Sequence, residues 1–499
     1  MAMELTVLKF LFISWFVLSG QVPREGTPVS TTPYRVESIL MPDGLRPATG
    51  AIAFLPDGRL IACFLQGEVM IYDPATREWS LFAGGLQEPL GLHVISQTEI
   101  IVMQRPELTR IRDTDGDGRA DLFETVTDDF GISGNYHEFN YGPVKDKFGN
   151  LFIALNAASS NGNIRNEVRG ILDTSTLNQK GQMFSSVPYR GWILKLTPEG
   201  SVLPFASGFR SPNGLGFDLK GNLFATENQG DWVGTSALYH VTEGKFYGHP
   251  ASLVWQKNWK KRNPYQVPLS ELENMRTKAS VLFPHGIIAN SPTQPVCDGT
   301  KGRFGPFAGQ FFVGEMNQGR IVRVMLEEVD GVLQGACIPF ITGKGLRKGN
   351  NRLAFAPDGS LWVGQALQEN WIGGEGIQRI TFSGKQPVEI YDMRLTNTGF
   401  DLSFTEPVDE TALSNPGNYK LRRYYYAYHK KYGSDQFDIQ EVPVTQIKVS
   451  GSGKKISLRL QSLSAGYIYE LTLKNIKTRK GQPLENNLIC YTLNRLNQK

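Results

Sequence analysis

One histidine and one arginine carry side chains that could together remove a proton from a hydroxyl group. His137 is one of six histidines, and it lies in a loop rich in Tyr, Asn and Glu. A neutral imidazole accepts a proton near neutral pH because its unperturbed pKa is about 6.5. Arg210 precedes the next strand pair, and its planar, permanently charged guanidinium suits a carboxylate or a developing oxyanion. We therefore predict that His137 and Arg210 are a catalytic pair facing each other across a channel.

A polar cluster follows the strand pair that begins after Arg210. It contains Glu227, Asn228, Gln229, Gly230, Asp231 and Trp232. Polar side chains at a strand end beside a Trp are typical of a pocket mouth, whereas in an isolated hairpin they would form a solvated turn. We predict that Asp231 and Trp232 bind substrate, with the Trp232 ring offering its face to a sugar. The alternative is that His137 merely hydrogen-bonds a loop and that Arg210 pairs with Glu227.

An acidic segment, DTDGDGRADLFE (113–124), predicts a bound calcium ion. Its carboxylates occupy loop positions 1, 3, 5, 9 and 12, and they belong to Asp113, Asp115, Asp117, Asp121 and Glu124. This is the spacing of an EF-hand-type loop, since calcium takes about 6–8 oxygen ligands. No helix is evident before this loop. We therefore expect the loop to stabilise a long connection between blades and to take no part in catalysis. The alternative is a solvated acidic turn.

Repeated hairpins must position these residues. Short strand pairs built on a turn recur as AIAFLPDGRLIACF (51–64), GLHVISQTEIIVMQ (91–104), GPVKDKFGNLFIAL (142–155), GLGFDLKGNLFATE (214–227), FGPFAGQFFVGEM (304–316) and LAFAPDGSLWVGQ (353–365). Most are followed by another strand, so that two hairpins make a four-stranded sheet. Six such sheets around an axis make a six-bladed β-propeller. The segment 34–40 is expected to supply the strand that closes the last blade.

The excess length is concentrated in two insertions and in the tail. We expect the insertions, 157–190 and 251–284, to be functional covers, and the second to contain a short helix with Ser270 and Glu273 in capping-box spacing. From Gln386 onward, short alternating strands predict a small Ig-like β-sandwich. Tyr424, Tyr426 and Tyr428 alternate onto one face there, as a stacking platform for sugar rings or as a half-buried strand face. The prediction is thus an all-β chain with a propeller at 32–384 and an Ig-like sandwich at 386–497.

The first 20 residues predict a signal peptide, because a short apolar core precedes small residues. The chain is therefore expected to be exported, periplasmic or extracellular, with no transmembrane segment in the mature protein. The alternative is a retained membrane anchor. The net charge of +4 gives no support for a nucleic-acid partner. The four cysteines form no CxxCH motif, which excludes covalent haem, although Cys297 and Cys337 have the loop context to pair.

The run 34–384 resembles the six-bladed glucose/sorbosone dehydrogenase-like propellers, which are soluble and PQQ-dependent. It looks most like their secreted "membrane-bound dehydrogenase" branch. The matching motifs are RPELTRIRDTDGDGRAD (105–121), YHEFNYGPVKDKFGNLFIAL (136–155) and PYRGWILKLTPEG (188–200). The resemblance implies oxidation of a sugar or polyol, with PQQ and calcium as cofactors. It makes His137 the general base and Arg210 a contact of the quinone.

The same resemblance implies the cofactor-binding residues. The backbone carbonyls of Asn228, Gln229 and Gly230 stand where the family holds calcium. Asn317 replaces the cofactor-binding Lys of the family, and Arg352, with Lys348 nearby, only loosely matches a pair of arginines. PQQ is polyanionic, so these departures weaken the case for PQQ itself.

The sequence leaves three classes of function open. The preferred one is an exported oxidoreductase acting on a small-molecule or oligosaccharide substrate, with a separate cytochrome or another electron acceptor. The second is a calcium-dependent lactonase of the gluconolactonase type, in which Asn213 of the Pro212-Asn213-Gly214 turn and Glu227 would ligate the metal. The third is a non-catalytic glycan-binding propeller.

Overall fold

The computed structural model describes residues 32–259, 263–367 and 374–497. The predicted signal peptide, 1–20, lies outside the described residues. Within those three ranges, every helix is too short or too polar to cross a membrane.

Six groups of four antiparallel strands form the larger part of the structure, and β1 (Tyr34–Ser38) comes first in the chain. The first three groups are β2 (Thr49–Phe54), β3 (Leu60–Phe64), β4 (Val69–Asp73) and β5 (Glu78–Ala83); β6 (Gly91–Val94), β7 (Glu99–Met103), β8 (Leu108–Arg112) and β9 (Leu122–Thr127); and β10 (Asn140–Lys145), β11 (Leu151–Leu155), β12 (Trp192–Leu196) and β13 (Val202–Ser207). The next three are β14 (Gly214–Phe217), β15 (Leu223–Glu227), β16 (Ser236–Val241) and β17 (Val281–Phe283); β18 (Pro292–Cys297), β19 (Phe311–Glu315), β20 (Arg320–Val329) and β21 (Val332–Thr342); and β22 (Asn350–Phe355), β23 (Leu361–Gln365) and β24 (Gly376–Phe382) with β1.

The six groups close into a ring. The first strands of successive groups, β2, β6, β10, β14, β18 and β22, contact one another in turn, and β22 contacts β2. In the sixth group β1 pairs with β24, with Tyr34 opposite Phe382, so the two ends of the ring meet in one sheet. The predicted six-bladed β-propeller is therefore confirmed.

Glycine makes the tight turns and the narrow centre of this ring possible. The hairpin turns of the first and fourth blades contain Gly58 and Gly221 at φ of 91° and 90°, a left-handed conformation that side chains disfavour. At the centre, a Cβ on Gly91 would collide with the backbone carbonyl of Gly142. A glycine at this position allows the inner strands of the second and third blades to approach closely.

The fifth blade differs from the prediction. The sequence hairpin 304–316 was expected to contain both inner strands, but the innermost strand is β18, Pro292–Cys297, and a loop separates it from β19. The sequence of β18 contains two prolines, which is not typical of a strand, because proline cannot donate a backbone hydrogen bond to a neighbouring strand. The structure accommodates them at a register shift between Pro292 and Pro295, where pairing with β19 is interrupted.

The two insertions have different structures. Residues 157–190 contain no regular helix or strand, as far as the structure describes them. In 251–284 the chain forms 3-10 turns at Pro250–Trp255 and Pro264–Gln266 and then α1, Leu269–Met275. The predicted helix is thus present, but the capping box is wrong, because Pro268 is the N-cap residue and Ser270 lies inside the helix.

The remaining strands form two facing sheets after the ring. The elements are β25 (Ile390–Leu395), β26 (Gly399–Phe404), α2 (Glu410–Ser414), β27 (Tyr419–Tyr426), β28 (Gln436–Glu441), β29 (Val444–Ser450), β30 (Lys455–Leu460), β31 (Tyr467–Leu473) and β32 (Leu488–Leu493). One sheet has the order β25-β26-β30-β29, and the other has the order β32-β31-β27-β28. Buried side chains of both sheets, including Phe400 and Leu471, share one core. The Ig-like assignment and the boundary between 384 and 388 stay predictions.

The second of these sheets continues directly into the fifth blade. β32 pairs with β21, with Cys490 opposite Cys337, so eight strands form one sheet. All four cysteines are free, Cys297 and Cys337 included. The buried guanidinium of Arg323 on β20 donates to the carbonyl of Ile390, at 2.5 Å. Backbone pairing and a buried cation therefore join the C-terminal sheets to the ring.

Candidate functional site

His137 lies in the connection between β9 and β10 and is held as a neutral base. Its Nδ1 is 2.9 Å from the carbonyl oxygen of Ala157. A carbonyl only accepts, so Nδ1 carries the proton and Nε2 keeps its lone pair. Burial, and then the nearby charge of Arg210, lower the pKa of His137 to about 4. The ring is half-buried and uncharged at neutral pH, with Nε2 available to accept a proton.

A buried ionic cluster fixes the loop that carries His137. Arg190 is fully buried, and its guanidinium donates to the carbonyl of Gly131 at 2.7 Å and to Oδ1 of Asn140 at 2.6 Å. The Glu138 carboxylate accepts from the backbone N–H and the hydroxyl of Ser133, at 2.8 and 2.6 Å. Nε of Arg190 is 3.9 Å from that carboxylate. The residue next to His137 is therefore anchored in the interior.

Arg210 lies in the connection between β13 and β14, and its side chain is already paired. Its Nε is 2.7 Å from Oδ1 of Asp231, and both side chains are almost fully buried. The other carboxylate oxygen of Asp231 accepts from Nε2 of His249 at 2.9 Å and from the N–H of Met183 at 2.8 Å. Burial alone would raise the pKa of Asp231, but His249 and Arg210 hold it well below its usual range. The charge of Arg210 is thus largely compensated within the protein.

Glu227 binds the backbone at Arg210 and makes no ion pair with its side chain. The carboxylate accepts from the N–H groups of Arg210 and Ser211, at 2.8 and 2.7 Å. It also accepts from the N–H of Asn228, at 3.1 Å. Burial raises the pKa of Glu227 to about 7, against these donors, which lower it. Glu227 therefore fixes the start of the Arg210 connection and the end of β15 together.

The structure brings His137 and Arg210 to the same end of the propeller. Ala157 links them, because its carbonyl accepts from His137 and its N–H donates to the carbonyl of Arg210, at 3.0 Å. Two exposed tyrosines stand beside the pair. The Tyr136 ring, 51% exposed, is 6.0 Å from the His137 ring, and the Tyr432 ring, 68% exposed, lies 5.4 Å from Cζ of Arg210.

A loop of the C-terminal sheets, residues 427–435 between β27 and β28, covers part of this end. We call it the covering loop. The N–H of Gly433 donates to the carbonyl of Gly230 at 2.9 Å, and the N–H of Trp232 donates to the carbonyl of His429 at 3.1 Å. Tyr432 belongs to the same loop. The mouth of the propeller is therefore built from both the ring and the C-terminal strands.

Trp232 does not offer its face to a ligand, which corrects the prediction from sequence. Its φ is 63°, in the left-handed region, and its side chain is 7% exposed. The ring packs against Tyr428 and Tyr265, at 5.4 and 6.5 Å between centroids, and its N–H donates to Oε1 of Gln182 at 2.7 Å. Asp231, beside it, is 2% exposed and pairs with Arg210, so neither residue is placed to bind substrate as predicted.

Arg352 closes the centre of the ring. Its Nε donates to the carbonyls of Gly50 and Leu90, at 2.9 and 3.2 Å. Its Nη1 donates to the carbonyls of Asn351 and Asn213, at 2.7 and 3.1 Å, and the side chain is buried. This guanidinium joins inner segments of four blades, while its Nη2 is buried without a hydrogen-bond partner among the described residues. The cofactor contact that the resemblance implies stays a prediction.

The residues present do not fit the cofactor set that the resemblance implies. The carbonyl of Gly230, expected to hold calcium, accepts from the covering loop. Arg210 is paired with Asp231, and Nε and Nη1 of Arg352 donate to carbonyls, which leaves only the buried Nη2 of Arg352 for a polyanionic quinone. Asn317 carries no charge, and its N–H donates to Glu315 at 2.9 Å. We therefore assign neither PQQ nor its calcium to these residues.

The other members of the polar turn are also engaged locally. The backbone N–H of Gln229 donates to the hydroxyl of Ser236 at 2.9 Å, and its side-chain amide donates to the carbonyl of Gly234 at 3.2 Å. Oδ1 of Asn228 is buried without a hydrogen-bond partner among the described residues. The Asn228 oxygen thus faces a position that no protein donor fills in the part of the chain that the structure describes.

The lactonase ligand set is not assembled either. Oδ1 of Asn213 lies 3.3 Å from Nη1 of Arg352, so a cation of the protein already occupies the place of a metal. Glu227 is bound to backbone N–H groups. In the ranges that the structure describes, the one cluster of three or more acidic, histidine or cysteine ligands is Asp113, Asp115 and Asp117.

The acidic turn lies away from His137. Ligand oxygens of Asp113, Asp115 and Asp117 come within 4.8 Å of one another. The structure does not bring the other two predicted ligands to them, because Asp121 accepts from Thr114 at 2.7 Å and Glu124 pairs with Arg112 at 2.5 Å. The turn joins β8 to β9, and His137 follows the far end of β9, so the two lie at opposite ends of that strand.

Residues 72–391 match the family model described as "Domain of unknown function (DUF7133)". The chain belongs to this family. No curated protein matches its sequence.

Solved structures similar to this DUF7133 chain include several sugar dehydrogenases, the group that its motifs resemble. A putative oxidoreductase (glucose dehydrogenase) from Thermus thermophilus is 20% identical with a TM-score of 0.48, over 70% of this chain and 99% of the other. The PQQ-bound aldose sugar dehydrogenase from Streptomyces coelicolor is 16% identical with a TM-score of 0.46, over 71% and 99%. The PQQ domain of pyranose dehydrogenase from Coprinopsis cinerea is 15% identical with a TM-score of 0.48, over 72% and 98%.

Several residues of the site were not found by sequence reasoning in this DUF7133 chain. They are Glu138, Arg190, His249 and Tyr432. Glu138 adjoins His137, and a carboxylate next to the candidate base was a usable signal. Tyr432 follows a His-Lys-Lys run between two predicted strands, and nothing in that local pattern indicates a contact with Arg210.

Proposed function

We propose that this chain acts on a hydroxyl group of a sugar or polyol at the propeller mouth, with His137 accepting the hydroxyl proton. The observation that carries the proposal is the His137 tautomer, in which the carbonyl of Ala157 holds the proton on Nδ1. An imidazole fixed in this way accepts a proton through Nε2 and can return it later. The exposed rings of Tyr136 and Tyr432 provide flat apolar faces with polar edges on either side of the pair.

The reaction class proposed is oxidation. Removing the proton from oxygen prepares the hydroxyl carbon to lose two electrons with its hydrogen. Since the described residues do not fit PQQ, we assign the hydride, with both electrons, to a separate two-electron acceptor molecule, while the hydroxyl proton passes to Nε2 of His137. Export remains part of the proposal on the strength of the signal-like residues 1–20.

Glycan binding without catalysis is the second candidate. The paired state of Arg210 favours it, because Asp231 compensates a positive charge that a polyanionic redox cofactor would use. Purified protein incubated with aldoses and polyols and an artificial electron acceptor separates the two. Acceptor reduction that is lost in His137→Ala supports oxidation. Sugar binding by calorimetry without reduction, with or without added PQQ and calcium, supports binding alone.

The pH dependence gives a sharper test of the base. His137 must be neutral to accept a proton, and burial and Arg210 lower its pKa to about 4. We expect kcat/KM to stay level from pH 7 down to about 5 and to fall as the pH drops through about 4. Stability follows the same sign, being complete above the unfolded pKa of about 6.5 and lost as the pH falls from there towards the folded value. An acid limb centred near the unfolded value would contradict this environment.

The acidic turn carries a separate proposal, a calcium ion held by Asp113, Asp115 and Asp117. Saturating calcium at 100 times its Kd would stabilise the fold by about 2.7 kcal/mol, seen as a higher melting temperature than in EDTA. Asp115→Ala with Asp117→Ala should abolish that difference. The exposed Asp129→Ala is the matched control and should retain it. Equal melting temperatures in calcium and EDTA for the unmodified chain would remove the site.

A further inference from the structure

A tyrosine-rich cleft lies between the fourth blade and the C-terminal sheets, and the proposed function does not use it. Tyr239 of β16 lies on one side, and Tyr426 of β27 and Tyr467 of β31 lie on the other. Arg276 and Lys278, between α1 and β17, complete the wall. We call it the tyrosine cleft. The space inside it is about 90 Å³, and the cleft opens to solvent at its mouth, where a longer ligand can extend. Ligand sites favour such junctions.

The aromatic walls of the tyrosine cleft are held in place. The hydroxyl of Tyr428 donates to the carbonyl of Gly248 at 2.5 Å, and Cζ of Arg276 lies 4.5 Å from the centre of its ring. The hydroxyl of Tyr467 donates to Asp438 at 2.6 Å. Tyrosines offer a flat apolar face and a polar edge at little cost in side-chain entropy. This combination suits sugar rings, which have apolar faces and a rim of hydroxyl groups.

The predicted platform of three tyrosines is only partly formed, and the part that forms lies here. Tyr424 is fully buried, and its hydroxyl donates to Glu470 at 2.9 Å, so it faces no ligand. Tyr426 and Tyr428, two and four residues further along, line the tyrosine cleft. Two of the three tyrosines therefore lie on one face, as the alternation in the sequence predicts, whereas Tyr424 belongs to the core.

The charge of the tyrosine cleft is positive. Its described lining includes Arg276 and Lys278 and no carboxylate. Arg276 is partly compensated, because Glu273 accepts from it at 2.6 and 2.8 Å. Lys278 is exposed and makes no ion pair with any residue in the described ranges. An anionic group entering the cleft would meet an uncompensated ammonium.

We propose that the tyrosine cleft binds an oligosaccharide that carries carboxylate or sulfate groups, with sugar rings against the tyrosines and an anionic group at Lys278. The turn that contains Trp232 lines this cleft and also stands at the propeller mouth, so the cleft opens next to the candidate site. Because the two places adjoin, the charged end of a polysaccharide can lie at the mouth while its next sugar residues lie in the cleft. The inference shares a substrate class with the proposed function, but it does not require His137.

Calorimetry on the full chain tests the proposal with defined probes. These are trigalacturonic acid, its fully methyl-esterified form and a sulfated carrageenan oligosaccharide. We expect an acidic probe to bind and the ester to bind at least tenfold more weakly, since hydrogen bonds to charged groups contribute about 1.5–3 kcal/mol. Lys278→Gln should weaken the acidic probe by about tenfold or more on the same ground, and Lys278→Glu should weaken it further.

Matched controls separate this cleft from the mouth. Lys220→Gln removes another exposed lysine, in the β14–β15 turn, and should leave binding unchanged. His137→Ala should also bind normally, so a failed turnover assay would overturn the proposed function and not the cleft. Three results overturn the cleft: no binding of either acidic probe, equal binding of the ester, or loss of binding in His137→Ala. Melting temperatures of all variants confirm that each is folded.

Discussion

Replacing His137 with alanine is expected to lower turnover by about 10²- to 10⁴-fold, the contribution typical of a positioned general base. The loss should appear equally in kcat and kcat/KM, because proton transfer contributes in the transition state and not in substrate binding. Folding should change little. The His137 ring makes one hydrogen bond, to Ala157, and Arg190 and Glu138 hold the loop independently.

Two controls make this result specific. His285→Ala removes an exposed histidine in the β17–β18 connection, outside the loops that carry His137 and Arg210, and it should retain full turnover. Added imidazole should restore part of the turnover of His137→Ala, since it supplies the missing base to the space left by the ring. Full activity of His137→Ala, or a failure to fold, would show that the histidine only supports its loop.

The common position of His137 and Arg210 could be predicted because strand order fixes which loops share an end. Connections into the first strand of a blade, and the turns between its second and third strands, lie at one end of an antiparallel group. His137 and Arg210 enter successive blades, and 228–232 follows a second strand. The same argument places the acidic turn, between a third and a fourth strand, at the other end. Periodicity alone was therefore enough to group these residues.

What fills that end could not be predicted, because it depends on contacts between distant parts of the chain. The guanidinium of Arg352 donates to backbone carbonyls in segments near residues 50, 90 and 213. Gly230 meets Gly433, about 200 residues away in sequence. Its missing side chain also matters, since a Cβ there would collide with the Arg210 guanidinium. A sequence motif specifies residue types only. Contacts with distant parts of the chain decide whether a given oxygen or cation remains free to bind a cofactor.

Asp231→Ala is expected to cost about 3–5 kcal/mol of unfolding free energy, the loss typical when a buried ion pair is broken from one side. Its carboxylate serves three donors at once, namely Arg210, His249 and the N–H of Met183. Alanine would leave the Arg210 charge buried without its anion. Chemical denaturation at pH 7 measures the loss, since the lowered pKa keeps Asp231 ionised there.

The loss of unfolding free energy should depend on which partner of the Arg210–Asp231 ion pair is removed. Arg210→Met should cost less than Asp231→Ala, because the Asp231 carboxylate then keeps His249 and the Met183 N–H. Asp57→Ala is the exposed control, since Asp57 pairs with Arg59 at 2.7 Å with 41% of its side chain exposed. Such a surface pair contributes about 0–1 kcal/mol. If Asp231→Ala cost no more than Asp57→Ala, then solvent would already reach the pair, and Arg210 would be free to meet an anionic ligand after all.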